Sequence, residues 1–262
     1  MAVILVTGGT FGIGRGIALL LAQRGHQVVA LGLAAPQVSS TAQGVDGLAS
    51  ELDAQGLSAE IIEADVSRAA DADAAVSRVL ERHGRIDGLV NNAAIGPLGT
   101  VLDTPEELWD QIQAVNLKGS YLCSRAVIPH MARQGGGAIV NVGSGAGWGK
   151  PNMAAYASSK GGLVALTMAM AYDHFHQHVR VNMVVPGGGG IVTGMSVGRF
   201  GGDVEKFTSR AASGTVAGRP ATAEDVAKAV AFLLSEDAAV ISGSILDVGC
   251  FAHQGGPVPA RP

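Results

Sequence analysis

Val3-Ile4-Leu5-Val6-Thr7-Gly8-Gly9-Thr10-Phe11-Gly12-Ile13-Gly14 is the stretch whose reading decides the fold. A short apolar run, Val3 to Val6, stops at glycines, and helical spacing follows from Ile17 to Arg24. A helix start carries unpaired N–H groups and partial positive charge, which suits a pyrophosphate. Glycines let the backbone turn sharply and let phosphates come close. A glycine triplet alone is weak evidence. Set between a strand and a helix at the head of a βαβ pattern, it marks a dinucleotide site.

The same alternation continues outward from this stretch. Gln27 to Leu33 is a second valine-rich strand, followed by a helix near 44–55 and a strand near 59–63. A helix near 69–83, a strand at Gly88–Asn91, a long helix near 105–133 and a strand at Ala138–Val142 come next. A helix near 154–177, a strand at Val179–Val185, a helix near 223–235 and a strand at Ser244–Val248 close the pattern. Continuous apolar strands separated by helices predict a parallel sheet covered on both faces. Right-handed crossovers make it doubly wound. Residues 34–46 and 187–220 read as irregular, and a late irregular segment of this kind is a lid or binding loop. The apolar stripe Val226, Val230, Leu233 and Leu234 reads as core.

Composition narrows the function. The 262 residues fit one large domain, and 47% apolar against 15% charged residues allows a sizeable core. A net charge of −4 without a basic block argues against nucleic acid. No apolar run reaches the length that spans a bilayer, and Met1 to Val6 lacks the make-up of a signal peptide. Cys123 and Cys250 stand far apart without metal spacing and read as reduced thiols of a cytoplasmic protein.

Asp65 closes the third strand, where its carboxylate can accept from an adenine amino group; taken alone it reads equally as a helix cap. Asn91-Asn92-Ala93-Ala94 closes the fourth strand, where ligands of open α/β sheets collect, and Asn91 alone reads as a strand-end bridge. Tyr156 and Lys160 are four apart at the opening of a helix and share a face. A free phenol, pKa near 10, is a poor base at neutral pH. An ammonium at roughly 4 Å, with an effective dielectric near 20, favours the phenolate by about 4 kcal/mol. That is on the order of three pKa units before the lysine's own desolvation, enough for acid–base work near pH 7.

With these residues on the page, the chain resembles the short-chain dehydrogenase/reductase family, in its compact branch of about 250 residues. The resemblance runs from Thr7 to about Val248 and follows the family order: Thr7-Gly8-x-x-x-Gly12-x-Gly14, Asp65, Asn91-Asn92-Ala93, Asn116, Ser144, Tyr156-x-x-x-Lys160, Pro186-Gly187 and Thr193. It implies a Rossmann-type doubly wound sheet over residues 1–254 and a substrate loop at about 194–217; the stretch 255–262, with three prolines, reads as a loosely ordered tail. Tyr156 would exchange the proton, and Lys160 would lower its pKa and hold the nicotinamide ribose. Ser144 would bond the substrate oxygen, and Asn116 would hold a water relaying protons to Lys160. Gly8, Thr10, Phe11, Gly12, Ile13, Gly14, Asp65, Val66, Asn92 and Ala93 would cradle the dinucleotide, with Pro186 and Gly187 beside the nicotinamide and Thr193 on its carboxamide. A homotetramer, less often a dimer, is implied, with the helices at 105–133 and 154–177 available for a four-helix interface.

Four departures from the family pattern stand out. Ala94 replaces a glycine. Ser144 and Tyr156 are twelve apart, one fewer than expected, which reshapes the site wall near Trp148. Pro186-Gly-Gly-Gly-Gly-Ile-Val-Thr193 holds two extra residues before Thr193. Gly32 and Leu33 end the second strand without the acid typical of NAD binders or the arginine typical of NADP binders. Of NAD and NADP, the balance leans to NAD. Trp148 either contacts substrate or packs, Trp109 packs, and His83 and His130 cap helices or face solvent. Tyr172 to His178 reads as a solvated helix end, not a metal site. The reading is a reversible NAD(P)-linked oxidoreductase of a secondary alcohol and a ketone or aldehyde; its rival is a non-catalytic dinucleotide-binding regulator or scaffold.

Overall fold

The computed structural model describes residues 1–33, 44–187, 191, 193–198, 201, 203, 205–206 and 215–251. The expected tail at 255–262 and most of the irregular stretch at 34–46 lie outside the described residues.

The strands are β1 (Val3–Thr7), β2 (Gln27–Gly32), β3 (Glu60–Glu63), β4 (Gly88–Asn91), β5 (Gly137–Val142), β6 (Val179–Pro186) and β7 (Ile245–Val248). They form a single parallel sheet in the order β3-β2-β1-β4-β5-β6-β7. Alternate residues feed opposite faces. Val3 and Leu5 join one core with Leu89, Ile139 and Val181. Ile4 and Val6 join the other with Val90, Val140 and Val184. Because both faces are buried, the central strands β1 and β2 read as nearly continuous apolar runs, as the sequence indicates.

Helices α1 (Gly12–Gln23), α2 (Val45–Ala54) and α8 (Ala223–Leu234) supply side chains to the second core. Val226, Val230 and Leu233 are buried there, and Leu234 packs against them. α8 starts on a capping box, with Thr222 accepting from Asp225 N while Asp225 accepts from Thr222 N. Arg219 grips Asp225 with both guanidinium arms, at 2.7 and 2.8 Å, and holds that carboxyl below the usual carboxylate range. α3 (Ala69–His83), α5 (Gly119–Arg133) and the end of α6 (Ala154–Asp173) cover the first core.

Several expectations change. The helix of 105–133 is α4 (Glu106–Gln113), a π turn at Ala114–Lys118 and α5, one continuous path widened at Asn116. The helix expected to reach 177 ends at Asp173, and a 3-10 turn at Phe175–Gln177 leads to His178 at positive φ. His83 neither caps nor faces solvent. Glu60 opens edge strand β3 with a buried carboxylate, and His83 Nε2 lies 3.3 Å from it, beside Arg78 and Arg82. A buried carboxylate needs such partners, so the helix end is drawn onto the sheet edge. Trp109 is 37% exposed on α4, half out of the packing expected of it.

The strand order reverses between β1 and β4. That switch point, at the carboxyl ends of the strands, is where open α/β sheets bind ligands. A cleft of about 800 Å³ opens there.

Candidate active site

Thr7 and Asn92 bolt the two sides of the switch point together. Thr7 Oγ1 accepts from Asn92 N at 3.0 Å and Ala93 N at 3.1 Å. Asn92 Nδ2 donates to the carbonyls of Thr7 and Gly8 at 3.0 and 3.1 Å. The glycine turn is held so tightly that a β-carbon on Gly14 would lie 2.1 Å from Gly8 O. Gly8 itself has φ +60°. Asn91, one residue earlier, faces the core: it donates to Ser124 Oγ and Asn141 Oδ1, so the bridge reading is the correct one for that residue.

The residues present fit a nicotinamide dinucleotide. α1 begins with no side-chain cap and no acid in its first turn, which leaves its N–H groups to a pyrophosphate. Gly8, Thr10, Phe11, Gly12, Ile13, Asp65, Val66, Asn92 and Ala93 all line the cleft. Gly14 does not; it lies behind the turn and lets α1 approach it. Asp65 Oδ1 accepts from Ser67 N at 2.9 Å and Ser67 Oγ at 2.7 Å, so one carboxylate oxygen shapes the turn before α3.

At the other end of the cleft stand Ser144, Tyr156 and Lys160. Lys160 is buried at the floor and donates to Val142 O at 2.8 Å, with its Nζ 5.9 Å from the centre of the Tyr156 ring. Burial pushes its pKa down from 10.5 to about 8. Ser144 Oγ accepts from Ala146 N at 3.2 Å and so caps the 3-10 turn Gly145–Trp148. That turn rests on α6 with Gly147 against the Lys160 backbone, which is how the short link between Ser144 and Tyr156 is taken up. Trp148 stands 44% exposed on it and does not line the cleft.

Asn116 is fully buried in the π turn and does not line the cleft. Its amide takes both backbone groups of Ile95, accepting at 2.8 Å and donating at 2.9 Å, and also donates to Ser159 Oγ at 3.0 Å. Ser159 Oγ donates in turn to Tyr156 O at 2.7 Å. Thus the wall at Ile95, the widened helix and the helix of Tyr156 are fastened at one point. Ser159 was missed in the sequence, where only its place beside Lys160 pointed to it. Gln111 and Val115, four apart on one helix face, line the cleft and were also missed.

Pro186 and Gly187 line the cleft beyond β6. Thr193 precedes α7 (Gly194–Gly198) and bonds Ser196 at both N and Oγ1. Its Cβ lies 3.2 Å from where a β-carbon on Gly12 would be, so the two-residue insertion leaves it beside the glycine turn.

A cleft that can seat a dinucleotide at one end and exchange a proton at the other defines a nicotinamide-dependent oxidoreductase. A family model described as enoyl-(acyl carrier protein) reductase matches residues 8–250. The chain belongs to the short-chain dehydrogenase/reductase family. It is 40% identical to the 2-(S)-hydroxypropyl-CoM dehydrogenase 3 of Xanthobacter autotrophicus, over 97% of this chain and 95% of that protein. Among solved structures it is similar to levodione reductase, with a TM-score of 0.84 and 31% identity over 97% of this chain and 98% of that one. It is also similar to the aldohexose dehydrogenase of Thermoplasma acidophilum, with a TM-score of 0.82 and 29% identity over 100% of this chain and 97% of that one. The protein is accordingly an NAD(P)-dependent enzyme acting on CH–OH groups, and the non-catalytic rival finds no support.

Proposed function

We propose that the protein is an NAD-dependent dehydrogenase/reductase that interconverts a small secondary alcohol and its ketone, with Tyr156 moving the proton. The observation that carries this is the meeting of Tyr156, a buried cationic Lys160 and Ser144 on one wall of the cleft whose other end is the uncapped start of α1. When bound, the nicotinamide accepts or gives the hydride. The chain's own part is positional and protonic. In oxidation Tyr156 Oη takes the proton from the substrate hydroxyl, and in reduction it returns one to the carbonyl oxygen. Val142 occupies one of the three hydrogens of Lys160, leaving two for Tyr156 and the nicotinamide ribose. Ser144 Oγ steadies the substrate oxygen. Asn116 contributes a water-relayed path for protons to Lys160, with its side chain fixed by Ile95 and Ser159 so that the π turn keeps its width.

NAD is favoured over NADP by charge. From Gln27 to Ser50 the sequence carries no lysine, arginine or histidine. Arg15, the cation next to the glycine turn, is paired with Glu51. A 2′-phosphate would meet no counter-charge there. Pro186, Gly187 and Thr193 border the nicotinamide end, and residues 194–217 form the substrate loop within one catalytic domain, 1–254. The named activities of the relatives suggest small polar alcohols and ketones as substrates. The half-exposed Trp109 and Tyr121 on α4 and α5 suit a homotetramer built across those helices. Two unbridged cysteines suit the cytoplasm, and among the described residues no helix is long and apolar enough to cross a membrane.

The test is a nicotinamide-absorbance assay with NAD and NADP against a panel of secondary alcohols, polyols and ketones. Turnover with NAD is expected. Turnover confined to NADP overturns the cofactor assignment, and product formation without net cofactor reduction overturns the reaction.

A further inference from the structure

Strands β6 and β7 run parallel and stay paired to their last residues, Pro186 against Val248. The chain then leaves the sheet through Gly187 and Gly249, which pass each other backbone to backbone. A β-carbon on Gly249 would lie 2.2 Å from Gly187 Cα, 2.4 Å from its carbonyl carbon and 2.5 Å from its nitrogen. Carbon atoms in contact stay about 3.5–4.0 Å apart. The φ of Gly249 lies outside the left-handed region, so its backbone suits other residues and space alone keeps a side chain out.

The two glycines stand in different surroundings. Gly249 is buried and does not line the cleft. Its N–H donates to Asp247 Oδ1 at 2.9 Å, and Val248 before it packs on the second core. Gly187 is half-buried and lines the cleft. Close-packed interiors yield little, so a push on this contact is relieved on the side with open space, and Gly187 advances into the cleft.

We propose that Gly249, from outside the cleft, is a positioning residue for the nicotinamide half of the cofactor: by carrying no side chain it lets Gly187 stand back and so sets the room at that end of the cleft. Reacting atoms must meet at about 3–3.5 Å, and a misplacement of about 1 Å costs on the order of 100-fold in rate. A wall displaced by one methyl group is a change of that size. The proposal rests on the reading of Gly187 as a border of the nicotinamide.

Binding tests it, with one ligand that reaches this wall and one that does not. NADH carries adenosine, diphosphate and nicotinamide; ADP-ribose lacks the nicotinamide. Gly249→Ala is expected to weaken NADH about tenfold by fluorescence titration, and to leave ADP-ribose within about twofold of the original by calorimetry. Gly243→Ala controls for general damage at this edge of the sheet. Gly243 sits at φ +75° just before β7, and its β-carbon would meet nothing nearer than 3.6 Å. Alanine there costs stability through the backbone and should leave the ratio of the two affinities unchanged. Should Gly249→Ala not fold, Asp247→Ala carries the test: it releases the Gly249 N–H and is expected to weaken NADH about threefold with ADP-ribose unchanged. Equal losses of NADH and ADP-ribose, no loss of NADH, or the same shift in ratio in Gly243→Ala overturns the inference alone. An unaltered protein that binds neither NADH nor NADPH overturns the proposed function with it.

Discussion

Lys160 Nζ lies 5.9 Å from the centre of the Tyr156 ring, on a lysine held down by the carbonyl of Val142 rather than by any carboxylate. Among the described residues no carboxylate pairs with it, so the cation is available to the phenol. Replacing Tyr156 by Phe removes the proton carrier and leaves the ring in place. Tyr156→Phe is expected to lower kcat by about 100- to 10,000-fold while NADH affinity, read by fluorescence titration, changes little. Near-original turnover in Tyr156→Phe would remove Tyr156 from the acid–base role.

Burial of Lys160 also has a stability consequence with a definite sign. Its pKa in the folded protein is about 8, against 10.5 for the free group. Between those values the unfolded chain holds more protons, so the part of stability owed to Lys160 rises with pH. The penalty is complete below pH 8 and gone above 10.5, and amounts to about 3 kcal/mol at most, at about 1.4 kcal/mol per pKa unit. Lys160→Met should therefore be inactive yet more stable than the original at pH 7, with the gain shrinking towards pH 10. Urea denaturation of both proteins at the two pH values checks it. A gain that grows with pH would contradict the buried-cation account.

Leu33 is exposed at the end of β2 and lines the adenosine end of the cleft. An arginine there would add the charge that a 2′-phosphate lacks, in a fork suited to phosphate oxygens. Leu33→Arg is expected to raise NADPH affinity at least about tenfold relative to NADH, with the effect weakening as salt is added. Equal ratios before and after the change would place the ribose elsewhere.

What the sequence made legible is what depends on local pattern. The strand-glycine-helix opening, the two-sided apolar strands and the spacing of Tyr156 and Lys160 are all periodicities, and α3 and β4 fall on the expected residues. What stayed hidden depends on partners far along the chain. Gln113 and Gly119, on either side of the π turn, both have helical φ/ψ, and nothing in Ala114–Lys118 signals a wider turn; its central residue is held by Ile95 and Ser159, 21 and 43 residues away. Nothing local to Glu60 marks it as buried; its partners Arg78, Arg82 and His83 lie 18 to 23 residues along the chain. The close approach of Gly187 and Gly249 is invisible for the same reason, because neither residue implies the other until β6 and β7 lie side by side.

The fastening at Asn116 should affect turnover and stability together. Asn116→Ala removes three hydrogen bonds and leaves Ile95 N and O without their partners. At about 1 kcal/mol each, and about 2–4 °C per kcal/mol in a domain of this size, the melting temperature should fall by roughly 6–12 °C. A purely structural role would stop there. If the tie through Ser159 also holds Tyr156 in register, kcat should fall about 10- to 100-fold at a temperature where the variant is fully folded, while NADH affinity holds. Ser159→Ala should then reproduce part of that loss, and the double variant should lose less than the two singles combined, because both cut one connection. Strictly additive losses in kcat would mean that Asn116 and Ser159 act separately, and that the chain of bonds from Ile95 to Tyr156 carries no positional information.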